Sequence, residues 1–230
     1  MWDDFLSELP EDEETDEEVA FIADIFDPNM LMLDLCCGQG RHSIRLAGMG
    51  YHIMGMDSSR SLLDIANRSS RLRFIQGDMR NIPVRENTFD AVINIFTSFG
   101  FFDDEGNMQV LKSVASVLKT GGRFLLDYWN PFAAAQLDKT RNWWWMTNSL
   151  LSLAEVQYDF SSGIISDLRT IVNIKTGITE KFTRELRFYT LPEQKKMLKE
   201  SGLRIIEVYG DVDGREYDVG ARRLITLSEK

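Results

Sequence analysis

The chain has 230 residues, 43% of them hydrophobic and 27% charged, which is enough to bury a core in one domain or in one domain with an insertion. No apolar run approaches the roughly 18 residues of a membrane-spanning helix, and the acidic N-terminus predicts no signal peptide. The net charge of −10 belongs to the first thirty residues, which carry twelve carboxylates and no Lys or Arg, whereas the rest has 24 acids and 26 bases. This near-neutral body argues against a nucleic-acid partner.

Cys36 and Cys37 are the two cysteines of the chain. A vicinal pair forms a poor disulfide, and two thiols without further Cys or His ligands nearby make a poor zinc site. We therefore expect no metal site and a reducing, cytoplasmic location.

The acidic N-terminal residues 1–28 are predicted to form a helical cap. Residues 2–9 favour a short helix that Pro10 ends, and residues 12–26 favour a second helix with apolar side chains at helical spacing. The cap either closes over a ligand or covers the core as a solvated layer, and the sequence leaves both functions open.

A buried strand followed by a glycine-rich turn is the central signal in the chain. Residues 31–35 are apolar except for Asp34, and the turn that follows contains Gly38 and Gly40 before a helix begins. Glycines let the backbone turn sharply and approach a ligand, and the N–H groups at the start of the helix point toward that ligand. Taken alone, the pattern also fits an ordinary strand–helix connection.

A second strand over residues 51–57 ends in Asp57, and Ser58 or Ser59 can cap the helix after it. The carboxyl ends of parallel strands face a ligand crevice, where a carboxylate can accept both hydroxyls of a ribose. The glycine turn and this acid together predict nucleoside binding.

Two enzyme classes use such a pair: dinucleotide-dependent oxidoreductases and S-adenosylmethionine (AdoMet) methyltransferases. The dinucleotide fingerprint has a third glycine where this chain has Ser43. Further strands are expected over residues 71–76, 89–96 and 123–128. The first of these precedes Asp78, which can accept a hydrogen bond from an adenine amino group.

Residues 31–128 as a whole resemble a class I AdoMet-dependent methyltransferase. The ordered matches are the Asp34–Gly40 turn, Asp57, the Gly77–Met79 turn, the strand that begins at Phe89, and the Leu118–Arg123 turn. The resemblance implies AdoMet as cofactor and an α/β fold, a Rossmann-like, mostly parallel seven-stranded sheet with helices on both faces. One departure is Cys36, which stands where the family has its first glycine.

The resemblance also implies which residues bind the cofactor. Asp34 and the backbone near Cys36 hold the amino-acid end of AdoMet, Asp57 holds the ribose, and Asp78 with Met79 holds the adenine. The predicted cofactor-binding set is Asp34, Cys36, Gly38, Gly40, Asp57, Ser58, Asp78, Met79 and Asn94.

From residue 150 the apolar period changes to two. Strands are predicted over residues 150–160, 164–174 and 178–189, joined by hairpin turns into an antiparallel meander. We expect residues 141–189 to be an insertion over the active site of an AdoMet-binding domain made of residues 29–140 and 190–230. The last two strands, near residues 203–209 and 222–227, are expected to be antiparallel, as in the methyltransferase sheet.

Residues on the acceptor side are harder to identify. Phe99, Tyr128, Arg187 and Tyr189 are the candidates for substrate binding, and the last three are also candidate catalytic residues. A salt-bridged solvent face explains Arg187 and Tyr189 equally well. The run Trp143–Trp145 fits either a strand edge packed under a loop or an aromatic wall for the substrate.

The sequence therefore predicts an enzyme that moves the AdoMet methyl group to a nitrogen or oxygen of a small molecule. We expect a monomer or homodimer with no membrane and no nucleic-acid partner. The alternatives are an AdoMet-binding regulatory protein without turnover and an RNA methyltransferase. Methyl transfer mainly needs alignment of the reacting atoms and exclusion of water, so a dedicated base is optional.

Overall fold

A computed structural model describes residues 13–230, and the short helix predicted for residues 2–9 lies outside them. The helices are α1 (Glu13–Ile25), α2 (Arg41–Gly48), α3 (Arg60–Ser69), α4 (Asp104–Val117), α5 (Pro131–Ala135) and α6 (Leu191–Glu200). The strands are β1 (Leu31–Leu35), β2 (His52–Asp57), β3 (Arg73–Gln76), β4 (Phe89–Asn94), β5 (Leu118–Trp129), β6 (Arg141–Trp145), β7 (Leu150–Asp159), β8 (Ile164–Asn173), β9 (Thr179–Arg187), β10 (Arg204–Tyr209) and β11 (Arg223–Glu229).

Seven strands form one sheet in the order β10-β11-β5-β4-β1-β2-β3. Strands β1 to β5 pair in parallel, and β11 is antiparallel to both β5 and β10. The predicted Rossmann-like sheet and its antiparallel closing pair are thus confirmed. Chain order reverses between β1 and β4, so the ligand crevice of such a sheet lies at the carboxyl ends of these two strands.

The central strands are apolar along their length because both sheet faces are covered. On one face, Val110 and Val114 of α4 belong to a buried cluster that includes Leu33 and Phe124. On the other face, Ile22 of α1 belongs to a second cluster with residues of β1, β4 and β11. Helix α1 is therefore part of the core layer as well as a cap.

The insertion forms a separate antiparallel sheet in the order β6-β7-β8-β9. It packs on the main domain through Ile165 of β8 and Leu186 of β9, which join the same buried cluster as α4. The three predicted strands are confirmed, and β6 adds a fourth that sequence reasoning did not include in the meander. The sequence of β6 shows no alternation of apolar and polar residues, because its three consecutive tryptophans place apolar side chains on both faces of this edge strand.

Some details differ from the expectations. The Trp143–Trp145 run does lie on an edge strand, but its side chains are 37% to 66% exposed and so do not pack under a loop. Strand β3 begins at Arg73 because the N–H of Leu72 donates to Ser70 Oγ in a preceding turn, at 3.1 Å. Strand β9 ends at Arg187, so Tyr189 lies beyond it rather than on its face.

None of the helices within residues 13–230 has the length and apolar character required to cross a membrane.

Candidate active site

The glycine-rich turn between β1 and α2 has a left-handed backbone. Cys36, Gly38 and Gly40 have φ angles of 63°, 56° and 81°. The N–H of Gly40 donates to the carbonyl of Cys37 at 2.8 Å, and the N–H of Cys37 donates to Met56 of β2 at 3.0 Å. These bonds hold a tight turn, so that α2 starts at the crevice with the unpaired N–H groups of a helix terminus.

Asp57, at the end of β2, is oriented by this turn. Its Oδ2 accepts the N–H of Gly38 at 2.8 Å, and its Oδ1 accepts the N–H of Ser59 at 2.9 Å. Because each carboxylate oxygen has two lone pairs, both oxygens retain capacity for a pair of ribose hydroxyls. Ser58 is exposed beside it, and its carbonyl accepts from Gln76 Nε2 at 2.9 Å.

Asp34 is buried below the turn rather than open to it. The residue is 2% exposed, and its Oδ2 accepts a hydrogen bond from the hydroxyl of Ser43 at 2.6 Å. Burial raises the pKa of Asp34 more than nearby His42, the Ser43 bond and Arg41 lower it. Ser43 therefore bonds the acid of β1, a role that the third glycine of a dinucleotide fingerprint cannot have.

A buried acceptor without a partner lies at the end of β4. Asn94 donates Nδ2–H to the carbonyl of Leu35 at 2.9 Å, whereas its Oδ1 finds no hydrogen-bond partner within residues 13–230. Leaving such a group unpaired costs about 1–3 kcal/mol, so a donor is expected to bind there. AdoMet fits this set, because its ammonium is a donor and its ribose hydroxyls match Asp57.

Two sulfur side chains lie on the same side of the crevice. Cys36 Sγ is 3.5 Å from Met79 Sδ, which brings the glycine turn against the segment after β3. Asp78 pairs with Arg80 at 2.6 Å, and the Arg80 guanidinium lies 4.2 Å from the ring centre of Phe102. The role of Asp78 in adenine binding stays a prediction, since in the structure its carboxylate is engaged by Arg80.

The turn after β4 is strained. Phe96 and Thr97 have φ angles of 61° and 56°, in a region that non-glycine residues rarely adopt. The carboxylate of Asp127 accepts the N–H of Phe96 at 2.9 Å, and its carbonyl accepts the N–H of Thr97 at 3.1 Å. The N–H of Trp129 donates to Thr97 Oγ1 at 3.1 Å. Strained residues held in this way cluster at functional sites.

Exposed aromatic rings follow the ends of β4 and β5. The exposed fractions are 47% for Phe96, 45% for Phe101, 41% for Trp129 and 46% for Phe132. Exposed apolar surface is typical of interaction sites, and these residues lie at or shortly after the carboxyl ends of two neighbouring strands. Sequence reasoning missed these residues, although an aromatic directly after the apolar run of a predicted strand was the available signal.

Three of the predicted acceptor residues lie in the interior. Phe99, Tyr128 and Tyr189 are 1%, 0% and 2% exposed, and the ring of Phe99 is 6.1 Å from that of Tyr128 and 5.8 Å from that of Tyr189. The Tyr128 hydroxyl donates to the carbonyl of Arg187 and accepts the N–H of Tyr189. These rings join β5 to the end of the insertion, and their direct contact with an acceptor stays a prediction.

Arg187 is engaged by acidic side chains. Its guanidinium lies 2.6 Å from Glu193 of α6 and 3.5 Å from Asp104 of α4. It also stacks 4.5 Å from the ring centre of Tyr189. The structure brings Arg187 and Tyr189 together, in an ion-paired cluster that fastens the insertion to two helices.

Comparisons with known proteins agree with this geometry. Residues 32–122 match a family model described as a methyltransferase domain. The chain is 28% identical to the "Putative methyltransferase YqeM" of Bacillus subtilis (strain 168), over 100% of this chain and 94% of that protein.

Solved structures share the fold. A S-adenosylmethionine-dependent methyltransferase from Clostridium acetobutylicum ATCC 824 has a TM-score of 0.82 at 19% identity, covering 95% of this chain and 92% of that one. The sugar N-methyltransferase KedS8 from Streptoalloteichus sp ATCC 53650 has a TM-score of 0.74 at 17% identity, covering 96% and 88%. At these identities the likeness shows the fold, including the second sheet.

Proposed function

Because the chain is an AdoMet-dependent methyltransferase with its methyltransferase domain at residues 32–122, we propose that it methylates an amine nitrogen of a small molecule. The observation that carries the proposal is the group of exposed aromatic rings at the ends of β4 and β5. The fold shared with a sugar N-methyltransferase also supports a nitrogen atom as the methyl acceptor.

The cofactor assignment rests on this chain's own donors and acceptors. Asp57 presents oriented carboxylate oxygens for the ribose, the start of α2 presents the backbone N–H groups of a helix terminus, and Asn94 presents its buried Oδ1. When bound, AdoMet supplies a methyl carbon that the positive sulfur makes electrophilic. The protein's part is to hold that carbon in line with the acceptor and to exclude water.

The acceptor side is suited to an amine with an apolar or sugar-like body. Phe96, Trp129 and Phe132 are exposed, and aromatic faces attract cations such as the ammonium form of an amine. The bound ammonium group must lose its proton to water before the nitrogen lone pair attacks the methyl carbon and S-adenosylhomocysteine leaves. Apolar walls with few polar groups are typical of small-molecule sites. Phe99 and Tyr128 lie in the interior, where their rings and the Tyr128 hydroxyl contact the end of the insertion.

A turnover screen tests the proposal. Primary and secondary amines, including amino sugars, are incubated with AdoMet beside matched alcohols, phenols and carboxylates, and formation of S-adenosylhomocysteine is measured. We expect turnover with amines. AdoMet binding without turnover on any acceptor would instead favour a regulatory protein, and turnover only on hydroxyls would contradict the choice of nitrogen.

Ring substitutions then test the site. Trp129→Ala is expected to raise the KM for the amine by about 2- to 30-fold, which corresponds to about 0.5–2 kcal/mol for a cation on an aromatic face. Phe160→Ala is the matched control, because this ring is 70% exposed but lies in the hairpin between β7 and β8. Equal effects of the two substitutions would contradict the placement of the acceptor.

A further inference from the structure

Helix α1 is held by buried ion pairs whose role the methyl-transfer site leaves unexplained. Glu18 and Arg223 are 1% and 2% exposed. Glu18 Oε1 accepts from Arg223 Nη2 at 2.8 Å, and Glu18 Oε2 lies 2.7 Å from His42 Nε2. One carboxylate of α1 therefore bridges β11 and the first turn of α2.

Arg223 continues the connection to the strained turn after β4. Its Nη1 donates to Asp127 Oδ2 at 2.6 Å. The same oxygen accepts the N–H of Phe96 at 2.9 Å. A single carboxylate oxygen thus joins the arginine to the backbone of the turn that carries an exposed ring.

His42 and its neighbours provide the connection to the glycine turn. His42 follows Gly40 by two residues, and α2 begins between them at Arg41. The Arg41 guanidinium lies 3.4 Å from Glu18 and 4.7 Å from the ring centre of Phe96. Contacts from the start of α2 therefore reach both α1 and the turn after β4.

The buried ion pairs of Glu18 make it unfavourable for the side chains of this cluster to move apart. Burial raises the pKa of the Glu18 carboxyl, but the hydrogen bond and charge interaction with His42, the charge of Arg41 and the hydrogen bond from Arg223 together outweigh burial and hold this pKa below its ordinary value. The carboxyl is therefore ionised at neutral pH. Breaking a buried pair leaves an uncompensated charge, which is strongly unfavourable. The connected side chains are thus expected to shift as a unit.

We propose that Glu18 is a positioning residue that couples occupancy of the AdoMet turn to order in the turn after β4. Ligand at the glycine turn fixes the start of α2 and with it His42. Glu18 passes this constraint to Arg223, and Asp127 passes it to the N–H of Phe96. The inference rests on the proposed function, and it adds that α1 takes part in shaping the acceptor side.

Hydrogen exchange at single amides tests the coupling in the full chain. S-adenosylhomocysteine is the probe, because it occupies the cofactor site without turnover. In the wild-type protein it should slow exchange at Phe96 and Thr97 by about fivefold or more, the lower end of usual coupling between sites. In Glu18→Gln the slowing at these two amides should fall below about twofold, outside that range, while residues 36–46 keep their protection.

Glu17→Gln is the matched control, since Glu17 is exposed on the same helix, and it should behave as the wild type. If Glu18→Gln does not fold, the double variant Arg41→Gln, His42→Asn removes both contacts of α2 with Glu18 and leaves Glu18 paired with Arg223. Retained slowing at Phe96 and Thr97 in the Glu18 variant or in this double variant would overturn the coupling alone. A uniform loss of protection, equal with and without ligand, would also overturn it by showing a purely structural role. Absence of any ligand effect in the wild type would overturn both the coupling and the cofactor assignment.

Discussion

At the scale of single residues, Cys36 combines a left-handed backbone with a side chain at a position where the resembling family has glycine. Its φ of 63° is one that L-residues adopt at a cost. Burial raises the pKa of the Cys36 thiol, and the charges of Asp57 and Asp34 raise it further. Burial raises the pKa of Cys37 in the same way. Both thiols are therefore expected to be protonated and unreactive, because the thiolate is the nucleophile.

Alkylation measures this state directly. At mildly alkaline pH, iodoacetamide should leave Cys36 and Cys37 unmodified in the native protein and modify both in urea. Adducts are counted by mass spectrometry. Native alkylation at the rate of a free cysteine would show that the crevice admits solvent and that the raised pKa values are wrong.

Asp57 has the clearest effect expected of any residue at the site. We expect Asp57→Ala to weaken AdoMet binding by about 1.5–3 kcal/mol, the usual worth of hydrogen bonds to a charged group. Calorimetry measures the dissociation constant. Asp90→Ala is the control, because Asp90 begins β4 and accepts from Leu31 N–H and Lys119 at the opposite end of the strands. If both substitutions weakened AdoMet binding equally, the assignment of the cofactor site to the carboxyl ends of the strands would be wrong.

At the scale of elements, α1 is anchored more by packing than by its acidic surface. Ile22 is fully buried in the cluster beneath the helix, whereas Asp16 makes an exposed pair with Arg45. Ile22→Ala should lower the free energy of unfolding by about 2–5 kcal/mol through the cavity it leaves. Asp16→Ala should change it by less than about 1 kcal/mol.

Urea unfolding followed by far-ultraviolet circular dichroism gives both values. If Asp16→Ala were as costly as Ile22→Ala, the helix would be held by its surface charges, and its assignment to the core layer would be wrong.

Local pattern was sufficient for the elements but not for contacts between distant ones. The strand–turn–helix at Gly38 and the acid at Asp57 are readable because their spacing along the chain is fixed by the fold. The Glu18–Arg223 pair joins residues 205 positions apart, so no local sequence pattern predicts it. Tyrosine is a residue type that often lines pockets, so Tyr128 and Tyr189 are reasonable candidates for substrate binding on sequence alone. Tertiary packing buries both side chains, and that burial depends on contacts between elements that the local sequence does not reveal.

At the scale of the whole molecule, the distribution of charge argues for a small acceptor. Arg60 pairs with Asp64 at 2.9 Å and Arg80 pairs with Asp78 at 2.6 Å, so these bases do not form a continuous unpaired stripe. Phosphate binding depends on basic side chains and weakens steeply with salt. We therefore expect no sub-micromolar RNA or DNA binding near physiological salt.

Binding measured over a salt series checks this expectation. Tight binding that is lost in Arg68→Glu or Arg71→Glu would support the alternative of an RNA methyltransferase and contradict the small-molecule acceptor.

The positions of the tryptophans determine what their fluorescence can show about unfolding. Every tryptophan within residues 13–230 is at least 37% exposed, and three of the four lie on the edge strand β6. Indole emission moves to longer wavelengths in water, so we expect the emission of these four tryptophans, which water already reaches in the folded protein, to shift little on unfolding. A melt followed by their fluorescence would report mainly on β6, and on the seven-stranded sheet only through Trp129 at the end of β5.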